Sequence, residues 1–288
     1  MRASSVFAGV LILLTFGSVA QAQTASSPAS CNLRHEPGVS DQQLQSGQRP
    51  RTYRLFVPPA YDGRTALPLV LDLHGSGGTS EQQARSSGME TVAAREGFAV
   101  ASLQAEGGRW NFPTDAARAD DVAYVSDVID HAAASLCIDR TRVYATGMSG
   151  GGRMSSLLAC KLNNRIAAVA PVAGLRWPGP CEGRPIPVLT FHGLADPQNP
   201  YDGKAARGAE WVESVPEALA GWAQHDGCKP DVVFEDPEGP LSTMRYAGCR
   251  GNVELRLIRI DGLRHTWPKQ EIDATTTMWQ FFKNQRLP

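Results

Sequence analysis

After its first twenty-odd residues the sequence has no apolar run of membrane length, no block of like charge and no internal repeat. No pair of its cysteines has C-x-x-C spacing. Each absence excludes something. Without a second long apolar run the mature chain has no span of the roughly 20 residues that a bilayer needs. Lys and Arg number 28 against 29 Asp and Glu, a net charge of −1, so neither nucleic acid nor an anionic membrane is expected as a partner. Without paired cysteines there is no zinc-site pattern, and no metal is expected. With no repeat or low-complexity block to divide it, the chain is expected to hold one domain.

What is present begins with an export signal. Arg2 supplies a positive start, Val6 to Phe16 an apolar stretch, and Ala20-Gln21-Ala22 a cleavage site. Residues 1–22 are therefore expected to be a signal peptide. Residues 23–50 are expected to form a partly disordered extension, and 51–288 the domain. The exported chain is expected to be extracellular or periplasmic. In an oxidising compartment the six cysteines read as disulfides rather than catalytic thiols. Six cysteines allow 15 connectivities. Cys228 and Cys249 bracket a hairpin-like segment and make the best pair. Cys160 could join Cys137, since both end helices, or Cys181, its neighbour in sequence.

The chain alternates strands and helices. Leu67 to Leu73, Phe98 to Leu103, Ile166 to Ala173 and Ile186 to His192 are apolar runs of buried-strand type. Thr52 to Val57 alternates apolar and polar residues, as an edge strand does. Helical patterns cover about Glu81 to Glu96, Asp120 to Leu136, Val215 to His225 and Asp273 to Lys283. The fold class is α/β, with a mainly parallel central sheet flanked by helices.

Arg142 to Cys160 carries the chemistry. Val143 and Tyr144 favour a strand, and Met154, Leu157 and Leu158 recur at helical spacing. Between them Gly147-Met148-Ser149-Gly150-Gly151 places a serine at a strand-to-helix turn, flanked by glycines at minus two and plus two. Such a turn exposes the hydroxyl at a helix N-terminus and marks a nucleophile. A serine needs a base, and the base needs an orienting group. Of the six histidines, His265 follows the last strand pattern, Val253 to Ile260, in a loop, and is the expected base. His131 and His225 belong to helices. His74 and His192 end buried strands before a glycine and read as turn-shaping. Asp196 follows the strand ending at His192 and is the expected acid, with Asp202 as its rival. Asp226 and Asp231 read as solvated. Serine, aspartate, histidine is the chain order of an α/β-hydrolase.

An acyl transfer passes through an oxyanion, which needs N–H donors. The amide of Gly150 is one candidate. Ser76, in His74-Gly75-Ser76-Gly77-Gly78 after the first buried strand, supplies the other. That loop lacks the Lys-Ser/Thr ending of a phosphate-binding loop. Trp110 and Trp267 are either substrate-binding walls or packed under loops. Arg264 either meets a substrate carboxylate or is an exposed charge.

LDLHGSGG, the RWN around Trp110, the segment ADDVAYVSDVIDHAAASLCIDRTRVYATGMSGGGRM, TFHGLADPQNPYDG and GLRHTWP occur in order from Arg51 to the C-terminus. Together they resemble the secreted polyhydroxybutyrate-depolymerase-like and feruloyl-esterase-like serine esterases. The resemblance implies an α/β-hydrolase fold, ester hydrolysis through an acyl-enzyme, no cofactor, and a triad on Ser149, Asp196 and His265. Leu263-Arg264 stands where that family has small glycines before the histidine, which puts a cation beside the site. The expected substrate is a feruloyl ester of plant polysaccharide. The alternatives are a hydroxyalkanoate oligomer or polymer, acetylated xylan, a peptide cleaved by a peptidase of the same fold, and a non-catalytic binding module on the same scaffold.

Overall fold

A computed structural model describes Met1 and residues 31–203 and 213–288. The expected signal peptide, 1–22, and the start of the expected extension lie outside the described residues. Among the described residues, ten strands form one sheet: β1 (Gly38–Ser46), β2 (Arg49–Val57), β3 (Leu67–Leu73), β4 (Ala99–Leu103), β5 (Ile138–Met148), β6 (Ala168–Val172), β7 (Val188–Gly193), β8 (Val232–Glu238), β9 (Leu241–Tyr246) and β10 (Leu255–Ile260). Their order across the sheet is β1-β2-β4-β3-β5-β6-β7-β10-β9-β8. The strands from β4 to β10 in that order run parallel. Antiparallel pairs close both ends.

The parallel strands are apolar because they are covered on both faces. Every residue of β3, β4, β6 and β7 is buried. Leu69, Leu71 and Leu73 join one core cluster while Val70 joins the other, as the two-residue strand period requires. The helices α1 (Ser80–Ser87), α2 (Met89–Glu96), α3 (Asp121–Ser135), α4 (Gly150–Lys161), α5 (Val215–His225) and α6 (Ala274–Phe282) supply the cover. Apolar residues of α3, α4 and α5 pack into the first cluster, and those of α2 and α6 into the second.

Four sequence expectations change. The Glu81 to Glu96 helix is two helices, because Gly88 turns left-handed at φ 66° and ends α1. The Thr52 to Val57 strand begins at Arg49 and is not an edge, because β1 pairs along its full length. That strand lies upstream of residue 51, inside the expected extension. Its Ser-Asp-Gln-Gln stretch carries little apolar signal, since only Leu44 and Ser46 are buried in it. Asp226 is wholly buried rather than solvated, bonded to the His225 ring and the Ile186 amide.

Three disulfides are present: Cys31–Cys137, Cys160–Cys181 and Cys228–Cys249. The last two match expected pairs, and Cys137 does not join Cys160. The N-terminal segment claims it instead. Leu33 N–H donates to Gly63 O at 3.0 Å, the Tyr61 hydroxyl donates to Leu33 O at 2.7 Å, and Cys137 N–H donates to that hydroxyl at 2.8 Å. These bonds draw Cys31 onto the start of β5.

Candidate active site

Parallel strands present their following loops at one end of the sheet. Ser149 leaves β5, the Ser76 loop leaves β3, Asp196 leaves β7 and His265 follows β10. Neighbouring strands thus bring residues distant in sequence to one rim.

Ser149 stands at the apex between β5 and α4, with φ 56° and ψ −112°. A positive φ on a non-glycine residue is strained and persists only where its surroundings enforce it. Here the Ser149 N–H donates to Val172 O, and Ser149 O accepts from Arg153 N–H, both at 2.9 Å. The flanking glycines are required by crowding. A Cβ on Gly147 would stand 2.5 Å from the Leu73 carbonyl oxygen, and one on Gly151 would overlap the same oxygen.

The Ser76 loop faces this turn. A Cβ on Gly150 would lie 3.0 Å from the Ser76 nitrogen and 2.5 Å from its Oγ. The two segments that carry the expected oxyanion donors are therefore in contact. His74 holds the loop in shape: its Nδ1 pairs with Gly75 O at 2.7 Å, and its Nε2 accepts from Ala105 N–H at 3.0 Å. Burial lowers its pKa and favours the neutral ring those bonds need. The Trp110 indole N–H donates to His74 O at 2.8 Å, and Gly77 N–H to Gly108 O at 2.8 Å. The Trp110 loop braces the His74–Gly78 loop, a role that nothing in the sequence announces.

That brace is itself anchored. Asp121, 3% exposed, accepts from the Asn111 amide at 2.7 Å and from Arg51 at 2.6 Å. The Arg51 guanidinium lies 3.7 Å over the Tyr124 ring.

Asp196 and His265 meet. His265 Nδ1 lies 2.7 Å from Asp196 Oδ2, and both side chains are nearly inaccessible. Asp196 Oδ1 accepts from the amides of Gln198 and Asn199 at 2.8 and 2.9 Å. Burial pushes the Asp196 pKa up, but the His265 ring and these amides outweigh it and hold the carboxyl below its ordinary value. A carboxylate accepts only, so Nδ1 carries the proton and Nε2 is left as the acceptor. The two loops are stitched together by the Leu263 carbonyl, which accepts from Ala195 N–H at 3.1 Å. His192 shapes this turn, its Nε2 bonded to Asn199 O at 2.8 Å. The rival Asp202 lies exposed in the next turn.

The other nominated substrate residues divide. Ser76, Trp110 and Gly150 line one small open pocket of about 50 Å³, with Phe112, Arg109, Arg118 and Arg153. Trp267 is 3% exposed in the core cluster of α2 and α6, its indole N–H donated to Thr275 Oγ1 at 2.9 Å, and Trp110 is buried nearly as fully, at 4%. Trp110 belongs to the opposite cluster. Arg264 is exposed and is not among the residues lining this pocket. The cations at the pocket are Arg109, Arg118 and Arg153, which the sequence reading did not single out. Arg153, four residues after the serine on a helix, was the one with a readable signal.

Residues 51–179 match the family described as esterase PHB depolymerase. Over 247 residues the chain is 30% identical to "Probable feruloyl esterase C" of Aspergillus clavatus, covering 81% of this chain and 83% of that protein. The chain belongs to this esterase family. It is a serine-type carboxylic ester hydrolase with an α/β-hydrolase fold. A second relative in the family, feruloyl esterase B of Piromyces equi, is 30% identical over 248 residues, covering 80% of this chain. This chain spans only 44% of that protein's length. Among solved structures, acetyl xylan esterase from Aspergillus awamori superposes with a TM-score of 0.62 at 16% identity, covering 85% of this chain and 99% of that one. At that identity the likeness is one of fold.

Proposed function

We propose that the chain is an exported esterase that cleaves feruloyl (hydroxycinnamoyl) esters of plant polysaccharide, with Ser149 as nucleophile, His265 as base and Asp196 as its orienting acid. The bond between His265 Nδ1 and Asp196 Oδ2 carries this reading, because it leaves Nε2 as a proton acceptor. His265 takes the Ser149 proton as Oγ attacks the ester carbonyl. The amides of Ser76 and Gly150 bear the oxyanion, and Asp196 stabilises the imidazolium. The imidazolium gives its proton to the leaving alcohol. Water then repeats the sequence on the acyl-enzyme. Phe112, half-buried at the pocket, supplies an aromatic contact for the acyl ring. The feruloyl assignment is supported by the names of the two relatives. Export is supported by the three disulfides, which suit an oxidising compartment.

A hydroxyalkanoate oligomer is a second reading, favoured by the arginines at the pocket, since such an oligomer ends in a carboxylate. Turnover of p-nitrophenyl acetate by wild type and its loss in Ser149→Ala test the mechanism; equal activity in the two proteins would refute it. Methyl ferulate tests the acyl group, and no turnover of it removes the feruloyl reading.

A further inference from the structure

The pocket beside Gly150 holds more positive charge than ester hydrolysis requires. Arg109, Arg118 and Arg153 all line it, beside Ser76, Trp110, Phe112 and Gly150. The whole chain has a net charge of −1, so this concentration is local. The Arg118 guanidinium donates to the Arg109 carbonyl oxygen at 2.7 Å, which joins the two ends of the loop that carries them. Arg153 sits on the first turn of α4, its N–H bonded to Ser149 O, and so springs from the helix that the nucleophile caps. The N-terminus of that 12-residue helix adds partial positive charge at the same place. The pocket is open to solvent and has room for a carboxylate.

We infer that this pocket recognises a free carboxylate carried by the ester substrate, so that acidic esters are preferred to their neutral counterparts. The inference rests on Ser149 being the nucleophile and narrows the substrate at that site. Guanidinium groups bind carboxylates through two parallel N–H bonds, and their fork geometry selects the planar anion. Ser76 and Gly150 belong both to the pocket wall and to the expected oxyanion site, which sets the recognised carboxylate a few bonds from the scissile carbonyl. It is a handle and is chemically unchanged. Water adds across the ester bond, yielding a carboxylic acid that ionises and an alcohol. A second anion near the oxyanion does nothing for the chemical step, so the preference resides in KM. Acidic saccharides bearing feruloyl groups and hydroxyalkanoate oligomers both present such a handle, in each case in the alcohol half.

The test uses two matched pairs. Monomethyl suberate against dimethyl suberate places the carboxylate in the acyl half. 4-Acetoxybenzoate against its methyl ester places it in the alcohol half. In at least one pair the free acid should show a kcat/KM about tenfold or more above the neutral ester, carried by KM and reduced at 0.5 M salt. In Arg109→Gln/Arg118→Gln, whose side chains are exposed, that ratio should fall towards one. A neutral ester equal to or faster than the acid in both pairs overturns the inference, as does a ratio that survives in the double variant. If none of the four esters is cleaved while p-nitrophenyl acetate is, the carboxylate handle is refuted and Ser149 stands as nucleophile. If p-nitrophenyl acetate also fails, the underlying reading is what falls.

Discussion

His265 Nδ1 and Asp196 Oδ2 stand 2.7 Å apart, although their loops leave different strands and their positions are 69 residues apart. The Leu263 carbonyl holds the two loops together, so the pair is set by backbone as well as by its own bond. Asp196→Asn should keep the fold and lose activity. Its amide can present an N–H to Nδ1 and leave the proton on Nε2, the wrong tautomer for a base. A fall in kcat of about 10⁴ is expected, by analogy with other triads. Steady-state kinetics with p-nitrophenyl acetate, beside a circular dichroism spectrum, checks this; a loss under tenfold would remove Asp196 from the role.

Gly151→Ala should destabilise the protein. Its Cβ would overlap the Leu73 carbonyl, a backbone atom of the central strand pair that has nowhere to move. Gly75→Ala is the control, since its Cβ would meet nothing closer than 3.5 Å. Overpacking of this kind costs about 1–3 kcal/mol or more. A Tm drop of about 5 °C or more for Gly151→Ala is expected, with little change for Gly75→Ala.

Arg51→Ala leaves the Asp121 carboxylate buried without its cation. About 3–5 kcal/mol of stability should be lost. Adding Asp121→Asn should restore part of it by removing the buried charge. Urea unfolding of the single and double variants measures both. Because Asp121 also holds the Asn111 amide, activity should fall in Arg51→Ala at temperatures where the fold persists.

Asp72 gives the fold a pH dependence. It is fully buried, bonded to Gln83 and Ser87 at 2.7 Å, and burial raises its pKa from 3.8 to about 7. The folded state therefore binds this proton more tightly than the unfolded chain does. The stability it contributes is complete below about pH 4 and is lost as pH rises through about 7. Asp72→Asn keeps both bonding partners and cannot ionise. The stability of wild type relative to this variant should decline between pH 4 and 7; a constant difference across that range refutes the assignment.

The parts of the site that depend on exceptional backbone were readable from sequence. Gly147 and Gly151 around Ser149 are there because no side chain fits, and such a constraint leaves a visible pattern. Asp196 and His265 were readable because each follows an apolar strand. Packing direction was not. Trp267 is two residues from His265, yet its ring turns into the core on the opposite face from Trp110. Arg109 and Arg118 lie in a loop without periodicity, so only the folded path brings them to Gly150. β1 was missed because an outer strand with one partner can be largely polar.

The place of β10 in the sheet has a consequence for how activity is acquired. β10 lies between β7 and β9, and it delivers His265. A chain folded only as far as β7 would already hold the Ser149 turn and the Ser76 loop, yet it would lack His265, the proposed base. Hydrolysis should thus be the last property to appear during refolding. Its onset would time the docking of β10, the kind of long-range pairing that folds slowly.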